Sequence, residues 1–212
     1  MNKILCFGTN GGCLDSYYLC KEIYPNDEIS FLSDVEKTGD FINDSMVVGG
    51  FSDIKNFQNL DYYFIFQCGN VLNHKKRDLW FNNSLRIGLK PKTLISEKAY
   101  INKSAKVGEG SIIYPGVKIM RDVIIGTNTI VLPNTVINHD VHIGSFSIIN
   151  SGCVINGNTK IGKKCYVGAG SIFKEKLKIK DKSTIGMGSL VLEDIDKEGL
   201  YFGSPAKFIS SN

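Results

Sequence analysis

The chain has 212 residues, a length that suits one large domain or two small ones. Its hydrophobic content of 42% and charged content of 22% are those of an ordinary globular protein. The formal net charge of +4 comes without a dense basic stripe interleaved with aromatics, which argues against nucleic acid as a partner. No apolar stretch is long enough to span a bilayer and the first residues lack a secretory signal, so we expect a cytoplasmic protein with no membrane partner.

The first 92 residues alternate between predicted strands and helices. Apolar runs at residues 3–7, 28–32 and 62–67 each end at glycine or a small polar residue. Helix-like segments follow the first and third of these runs. This order is typical of parallel βαβ units and predicts a small Rossmann-like α/β domain over residues 1–92.

Two features of this domain indicate a phosphate-containing ligand. The turn Gly8-Thr9-Asn10-Gly11-Gly12 joins a strand to a helix, where backbone N–H groups can cradle a phosphate, although it lacks the full GxGxxG fingerprint. Asp34 follows the second strand, where a carboxylate can accept hydrogen bonds from a ribose or a base. A helix-capping role for Asp34 is the alternative.

From residue 93 a strict period of six residues begins. Every sixth residue is apolar in a run of seventeen: Ile95, Ile101, Val107, Ile113, Ile119, Ile125, Val131, Ile137, Ile143, Ile149, Ile155, Ile161, Val167, Phe173, Ile179, Ile185 and Val191. The residue two places earlier is small or β-branched almost throughout, and both positions share one face of a strand. A six-residue unit predicts a parallel β-helix over residues 93–212.

Cysteines are predicted to be structural. The six are scattered without a CxxC pair, which argues against a disulfide scaffold. Cys6, Cys20 and Cys68 lie in apolar segments. Cys153 and Cys165 occupy the small inward position of their hexads, so a catalytic role for them is not expected.

Three hexads make one coil of 18 residues, so residues 18 apart stack. The residue after the apolar position is often glycine or asparagine, which we interpret as tolerance of a left-handed backbone at a sharp corner. Between the two inward positions, outward residues form three walls. Wall 1 and wall 2 are largely apolar and wall 3 is basic; the members are Ile112, Ile130, Ile148, Tyr166 and Thr184 for wall 1, Lys118, Val136, Val154, Ile172 and Leu190 for wall 2, and Lys106, Ile124, His142, Lys160 and Lys178 for wall 3.

Two apolar outer walls predict burial against other copies of the chain, and a homotrimer would bury two walls of each prism. The alternative is that the first domain covers one of them.

Few residues of the prism are suited to chemistry. His139 lies at the corner between walls 2 and 3 and is followed by Asp140, a pair that can act as a general base or simply lie on the surface. His142 belongs to wall 3 and His74 to a polar segment, and three convergent histidines for a metal are missing. We therefore expect no metal cofactor. These few candidate residues favour a reaction in which a substrate amine attacks directly and one base removes its proton.

The hexads, Asn138-His139-Asp140, Gly168-Ala169-Gly170 and the closing Gly203-Ser204-Pro205-Ala206-Lys207 together resemble the hexapeptide-repeat acyltransferases. With the α/β domain in front, the chain is similar to the sialic acid O-acetyltransferase and nucleotide-amino-sugar N-acetyltransferase branch, which includes the bacillosamine and perosamine acetyltransferases. The resemblance implies a left-handed coil and acetyl-CoA as co-substrate.

The resemblance also implies roles for individual residues. His139 would be the base and Asp140 the acid that tunes it. Acetyl-CoA would lie in a groove between subunits, and the nucleotide-linked amino sugar would bind the first domain. The residues implied are Gly157, Ala169, Met187 and Lys207 for acetyl-CoA, and Asn10, Gly11, Gly12, Ser33, Asp34 and Gly69 for the nucleotide sugar.

Two positions depart from the family pattern. Family members often have a histidine in the glycine-rich turn where this chain has Gly12, and a second histidine near the acyl-CoA where it has Ile148. The first departure leaves the nucleotide open.

Three functions follow from the resemblance and the residues. The leading one is N-acetylation of a 4-amino-4,6-dideoxy sugar linked to UDP, dTDP or GDP, for O-antigen, capsule or glycoprotein assembly. O-acetylation of a sialic-acid-like sugar and a non-catalytic β-helix binding module are the alternatives.

Overall fold

The computed structural model describes residues 1–67 and 77–211. These residues divide into two compact units, one made of residues 1–67 with 77–94 and the other of residues 95–211. Cys68, Gly69 and His74, which were considered above, lie outside the described residues.

The first unit is built on a six-stranded sheet. Its strands, in spatial order β3-β4-β2-β1-β5-β6, are parallel apart from the antiparallel β3–β4 hairpin. The elements described here are β1 (Lys3–Phe7), α1 (Gly11–Ile23), β2 (Glu28–Leu32), β3 (Phe41–Ile42), β4 (Ser45–Gly49), a 3-10 helix (Phe51–Phe57), β5 (Tyr62–Phe66), α2 (Arg77–Arg86) and β6 (Lys90–Pro91).

The central strand β1 explains the order of this sheet. Residues 4–7 have no exposed surface. Strand β1 has a parallel neighbour on each side, and its apolar side chains are buried on both faces of the sheet. The Phe7 ring makes edge contacts with Phe51 and Phe66, with centroids 5.4 and 5.2 Å apart. These rings lie at the carboxyl end of β1, directly below the turn that begins at Gly8.

A buried ion pair joins Asp27, which precedes β2, to Lys92, which follows β6. The Lys92 Nζ lies 3.1 Å from Asp27 Oδ2, and both side chains are at most 10% exposed. The ammonium also lies over the Tyr24 ring, 3.8 Å from its centroid, and Asn2 donates two further hydrogen bonds to the carboxylate from its side chain. Because each charge has several partners, the pair satisfies groups whose burial would otherwise be costly.

The second unit is a β-solenoid of three sheets, as the period of six predicts. Every strand pairs in parallel with the strand 18 residues away, for example Ile130 with Ile148 and Val136 with Val154. The strands of wall 1 are β7 (Leu94–Ile95), β10 (Ile112–Ile113), β13 (Ile130–Val131), β16 (Ile148–Ile149), β19 (Tyr166–Val167) and β22 (Thr184–Ile185); those of wall 2 are β8 (Tyr100–Ile101), β11 (Lys118–Ile119), β14 (Val136–Ile137), β17 (Val154–Ile155), β20 (Ile172–Phe173) and β23 (Leu190–Val191); those of wall 3 are β9 (Lys106–Val107), β12 (Ile124–Ile125), β15 (His142–Ile143), β18 (Lys160–Ile161) and β21 (Lys178–Ile179).

The predicted interior of the solenoid is confirmed by burial. From Ser111 to Val191, every residue of the two inward positions is buried. Cys153 and Cys165 are among them, and burial raises their pKa values to about 11 and about 12. Both thiols therefore stay protonated at neutral pH, in keeping with a structural role.

The predicted reason for the corner glycines is wrong. Gly108, Gly126, Gly144 and Gly162 do not have a positive φ; a Cβ on any of them would come within 2.4–2.6 Å of an atom of the next coil. The left-handed residue is the one two places later, and it recurs every six residues from Gly110 to Gly188. These four glycines are therefore required by the close approach of the next coil. The left-handed backbone conformation belongs to the residue two places after each of them.

The two apolar walls differ in their exposure within the single chain. On wall 1, Ile112, Ile130 and Ile148 are 0%, 1% and 4% exposed within the single chain. On wall 2, Ile172 is 44% exposed and its neighbours are half-buried. Wall 1 is therefore covered within the chain, and only wall 2 presents an apolar outer surface.

The solenoid ends in an antiparallel hairpin of β24 (Leu200–Gly203) and β25 (Ala206–Ser210). Strand β24 pairs in parallel with β22, so the hairpin extends wall 1 to eight strands. Tyr201 and Phe208 make an edge contact across it, with centroids 5.5 Å apart.

Candidate functional site

His139 lies where the sequence predicts it, at the corner between walls 2 and 3. The corner follows β14 and precedes β15. Strict stacking places Arg121 at the same corner position one coil before His139, and Gly157 one coil after it. Three residues of different chemistry thus form one column along this edge of the prism.

The His139 imidazole contacts the carboxylate of the next residue. Its Nδ1 lies 2.8 Å from Asp140 Oδ2, and the two side chains are 47% and 36% exposed. Asp140 is the left-handed residue of its hexad, with φ of 59°, and its N–H donates to the Arg121 carbonyl at 3.1 Å. With Asp140 ionised, Nδ1 holds the proton and Nε2 keeps its lone pair, which is the arrangement of a general base.

Gly157 forms the floor beneath this imidazole. A Cβ at residue 157 would lie 2.6 Å from Cε1 and 2.8 Å from Nε2 of His139. The ring therefore rests where only glycine leaves room. The resemblance implied that Gly157 contacts acetyl-CoA; the structure places Gly157 against Cε1 and Nε2 of the His139 imidazole.

Two asparagines brace the corner from behind. Asn138 Nδ2 donates to Asn156 Oδ1 at 3.0 Å, and Asn156 Nδ2 donates to the Phe173 carbonyl at 2.9 Å. This amide ladder links three consecutive coils. Because a half-buried amide with hydrogen bonds on both sides has little freedom, this ladder holds the backbone from which His139 projects.

Sequence reasoning missed Arg121. Its Nη1 lies 3.3 Å from Asp140 Oδ2 and 3.0 Å from Asp122 Oδ2. The Ser104 hydroxyl and Arg121 hold the pKa of the Asp122 carboxyl below its usual range. The signal was available, because Arg121 is 18 residues before His139 and the repeat stacks residues at that spacing.

Ala169 and Met187 lie at a different corner, between walls 1 and 2. They occupy equivalent positions in consecutive coils, and the Gly188 N–H donates to the Ala169 carbonyl at 2.8 Å. Met187 is 71% exposed. Within one chain these residues are not brought to His139, because the strands of wall 2 separate the two corners.

Lys207 lies on β25, where its side chain is exposed. It lines a cleft at the end of the solenoid together with residues 191–195, Tyr201 and Phe208. The cleft is partly apolar, and its lining includes one cationic side chain, Lys207, and two acidic ones, Glu193 and Asp194. Ile148, the position where relatives often have a second histidine, is buried on wall 1 and not at the His139 corner.

The glycine-rich turn lies at the carboxyl edge of the first sheet. Asn10 is extended and precedes α1, which begins at Gly11 and Gly12, and the Asn10 side chain does not cap the helix. A Cβ on Gly12 would lie 3.0 Å from Gln67 Nε2, at the end of β5, whereas Gly11 has open space. Strand β1 lies between β2 and β5, so the turn stands at the topological switch point, where open α/β sheets bind ligands.

Ser33 and Asp34 follow β2 at the same edge, and they have different partners. The Thr9 and Ser33 hydroxyls both donate to one carboxylate oxygen of Glu36, and these hydrogen bonds hold the pKa of Glu36 below its usual range. Asp34 Oδ1 accepts from the Phe51 N–H at 2.7 Å. Glu36 was not found from the sequence, because nothing in its spacing shows that it turns back to the end of β1.

Neither a metal-binding cluster nor a membrane-spanning helix is found in the part of the chain that the structure describes. No group of three or more metal-binding side chains comes together among these residues. None of their helices is both long and apolar enough to cross a bilayer.

Comparisons with known proteins agree with this architecture. The family model of the GMPPB C-terminal domain matches residues 95–194. A comparison with curated protein sequences gives no match.

Several solved structures superpose over nearly the whole chain. The acetyltransferase domain of PglB from Neisseria gonorrhoeae is 24% identical with a TM-score of 0.90, covering 99% of this chain and 100% of its own, and it is also known in complex with acetyl coenzyme A. A GDP-perosamine N-acetyl transferase mutant from Caulobacter crescentus, in complex with CoA and GDP-perosamine, is 19% identical with a TM-score of 0.89, covering 99% and 97%. WeeI from Acinetobacter baumannii is 15% identical with a TM-score of 0.68, covering 99% and 100%. These likenesses establish a mainly β fold with a β-solenoid.

Proposed function

We propose that the chain transfers the acetyl group of acetyl-CoA to the amino group of a nucleotide-linked 4-amino-4,6-dideoxy sugar, for O-antigen, capsule or glycoprotein biosynthesis. The observation that supports this most is the His139–Asp140 pair, a base oriented by a carboxylate at an exposed corner of a β-solenoid. The matched acetyltransferases, with CoA, acetyl coenzyme A or GDP-perosamine bound, have the same fold.

In the proposed reaction, the sugar amine attacks the thioester carbonyl carbon while His139 Nε2 takes a proton from the nitrogen. The C–N bond forms, the C–S bond breaks, and the proton passes from the imidazole to the leaving thiolate of CoA. The Asp140 carboxylate stabilises the imidazolium that exists between these two transfers. A backbone N–H in the same groove is required for the oxyanion.

We further propose that acetyl-CoA binds between copies of a homotrimer. Wall 2 is apolar and partly exposed, and it lies between the His139 corner and the corner of Ala169 and Met187. A second copy placed on wall 2 can bring the latter corner to the base, which a single chain does not do. In this proposal Gly157, Ala169 and Met187 border the pantetheine arm and Lys207 binds a phosphate.

The first unit is proposed as the Rossmann-like site for the nucleotide, over residues 1–92, in front of a left-handed coil over residues 93–212. Backbone N–H groups at Asn10, Gly11 and Gly12 suit the diphosphate, with Gly69 beyond β5 as a further contact. Ser33, Asp34 and Glu36 supply polar groups for the ribose or base at the end of β2. A cytoplasmic location follows as part of the proposal, because acetyl-CoA and nucleotide sugars are cytoplasmic substrates.

A thiol-release assay with acetyl-CoA and UDP-, dTDP- and GDP-linked 4-amino sugars tests this function. We expect turnover of one nucleotide series, with no thiol release when the 4-amino sugar is replaced by its 4-hydroxy counterpart. His142→Ala is the matched control for His139→Ala, since His142 lies three residues away on wall 3. Turnover of hydroxyl acceptors alone, beginning with sialic acid, would replace this proposal by O-acetylation, and no turnover with any acceptor would leave only a binding role.

A further inference from the structure

The carboxylate that orients His139 is shared with a cation from the preceding coil. The same oxygen, Asp140 Oδ2, lies 2.8 Å from His139 Nδ1 and 3.3 Å from Arg121 Nη1. The Asp140 N–H also donates to the Arg121 carbonyl, so main chain and side chain of these two residues are both joined. The imidazole, the carboxylate and the guanidinium thus form one chain of contacts across two coils.

The charges around the imidazole are few. The preceding coil presents Arg121 and Asp122, which also form a pair at 3.0 Å, and the coil of His139 itself presents Asp140. The corner of the following coil, residues 156–158, has no charged side chain, and beyond it lie Lys174, Glu175 and Lys176. On wall 3 the in-register neighbours are His142 and Lys160. Of these charged groups at the described corners, Arg121 is the one that contacts the orienting carboxylate, opposite His139.

We propose that Arg121 is a positioning residue for the proposed reaction: its guanidinium holds the Asp140 carboxylate against Nδ1 of His139. A carboxylate oxygen with two partners has fewer free orientations than one with a single partner, because both contacts must break before the side chain turns away. The direction of the Nε2 lone pair therefore depends on a residue of the preceding coil.

The size of the effect follows from the exposure of the pair. Arg121 and Asp140 are 56% and 36% exposed, so their interaction is screened by solvent. For Arg121→Met, which keeps the length of the side chain without its charge, we expect kcat to fall by about threefold to fivefold. We expect the KM of both substrates to change by less than about twofold, because Arg121 contacts the orienting carboxylate. Arg121→Lys, which keeps the charge, should restore most of the lost kcat.

A competing role for Arg121 is direct binding of a substrate phosphate, and the same variants separate the two. A KM for either substrate that rises severalfold in Arg121→Met, with kcat unchanged, would overturn the positioning role. A lower melting temperature with an unchanged kcat would overturn it as well, because that result describes a structural residue only.

Because this inference rests on the proposed function, one readout is independent of activity. Nitrogen-15 NMR of the histidine rings in the free protein distinguishes the two tautomers of a neutral imidazole, with His139→Gln used for assignment among the three histidines. We expect a smaller share of the Nδ1–H tautomer of His139 in Arg121→Met than in the wild-type chain. Such a difference in a protein without acetyl transfer would disprove the proposed function and leave the positioning role intact, whereas equal shares would disprove the positioning role.

Discussion

The His139 imidazole lies directly on Gly157, and the space between them cannot hold a methyl group. A Cβ at residue 157 would come 2.6 Å from Cε1 of the ring, yet the ring is the outer end of an exposed side chain and can move away. The contact therefore determines where the base points more than it determines the stability of the coil.

Replacing Gly157 tests this relationship. In Gly157→Ala the ring must swing off the corner, so we expect kcat to fall by about a hundredfold, as misplacement of a reacting group by about 1 Å can produce. The melting temperature should stay within about 2 °C of the wild-type value. Glu175→Ala is the matched control, because it lies at the same corner position one coil further on; equal losses in both variants would contradict the explanation.

Asp140→Asn should impair the base without displacing it. The amide can still occupy the space beside Nδ1, but it no longer stabilises the imidazolium or favours the tautomer with a proton on Nδ1. Loss of a hydrogen bond to a charged group predicts a decrease in kcat of roughly tenfold to a hundredfold. Steady-state kinetics with saturating acetyl-CoA measure this decrease. An unchanged kcat would mean that the 2.8 Å contact is only a surface pair.

Glu36 and Asp34 are expected to differ in their effect on the nucleotide. Glu36→Gln removes the charge that organises the Thr9 and Ser33 hydroxyls, so KM for the nucleotide sugar should rise about tenfold with kcat little changed. Asp34→Asn keeps an oxygen for the Phe51 N–H and should raise KM less. If Asp34→Asn has the larger effect on KM, the ribose or base is read by Asp34 as the sequence alone suggested.

The Lys92–Asp27 pair should dominate the stability of the first unit. Lys92→Met leaves a buried carboxylate without its cation, which costs about 3 kcal/mol or more of unfolding free energy. Fluorescence of Trp80, the single tryptophan, follows the unfolding of this unit in urea. Lys90→Met is the matched control, since the Lys90–Asp61 pair is exposed and its loss should change little. Equal midpoints for the two variants would contradict this assignment.

The same pair predicts how stability depends on pH. Burial alone raises the pKa of Asp27, but hydrogen bonds from Asn2 and Lys92 outweigh it and hold the pKa below its usual range. A carboxyl with a lowered folded pKa contributes stability that is present above its unfolded value, about 3.9, and is lost as the pH falls through the folded value. Urea midpoints measured between about pH 5 and pH 3 should therefore fall more in the wild-type chain than in Lys92→Met, and parallel curves would contradict the prediction.

The solenoid could be predicted from the sequence because its signal is repeated. Each hexad has the same pair of inward positions, and every coil stacks in the same way. The inward orientation of Ile113 or Ser111 is therefore supported by many equivalent positions and not by one residue alone. The glycine corners show the limit of this reasoning. The pattern at Gly108 and Gly126 was found, but its cause is the approach of the next coil, which becomes visible only when residues 18 apart are stacked.

The site was predicted less completely than the fold. His139 and Asp140 are adjacent in the chain, so their contact follows from local geometry. Arg121 contacts Asp140 from the preceding coil, and Glu36 contacts Thr9 because β1 and β2 are neighbouring strands. Neither contact can be predicted from a local sequence motif. The burial of wall 1 within the single chain is not visible in the hexads for a similar reason, since burial depends on what else the chain places there.

Mass spectrometry of the acceptor after reaction with acetyl-CoA tests the central proposal most directly. The wild-type chain and His139→Ala are compared on the preferred nucleotide-linked amino sugar, and the product is treated with hydroxylamine, which cleaves an acetyl ester and spares an amide. We predict one added acetyl group that resists hydroxylamine in the wild-type reaction, formed at least a hundredfold more slowly by His139→Ala. A product that loses its acetyl group to hydroxylamine, or equal rates in the two proteins, would contradict N-acetylation by a His139 base.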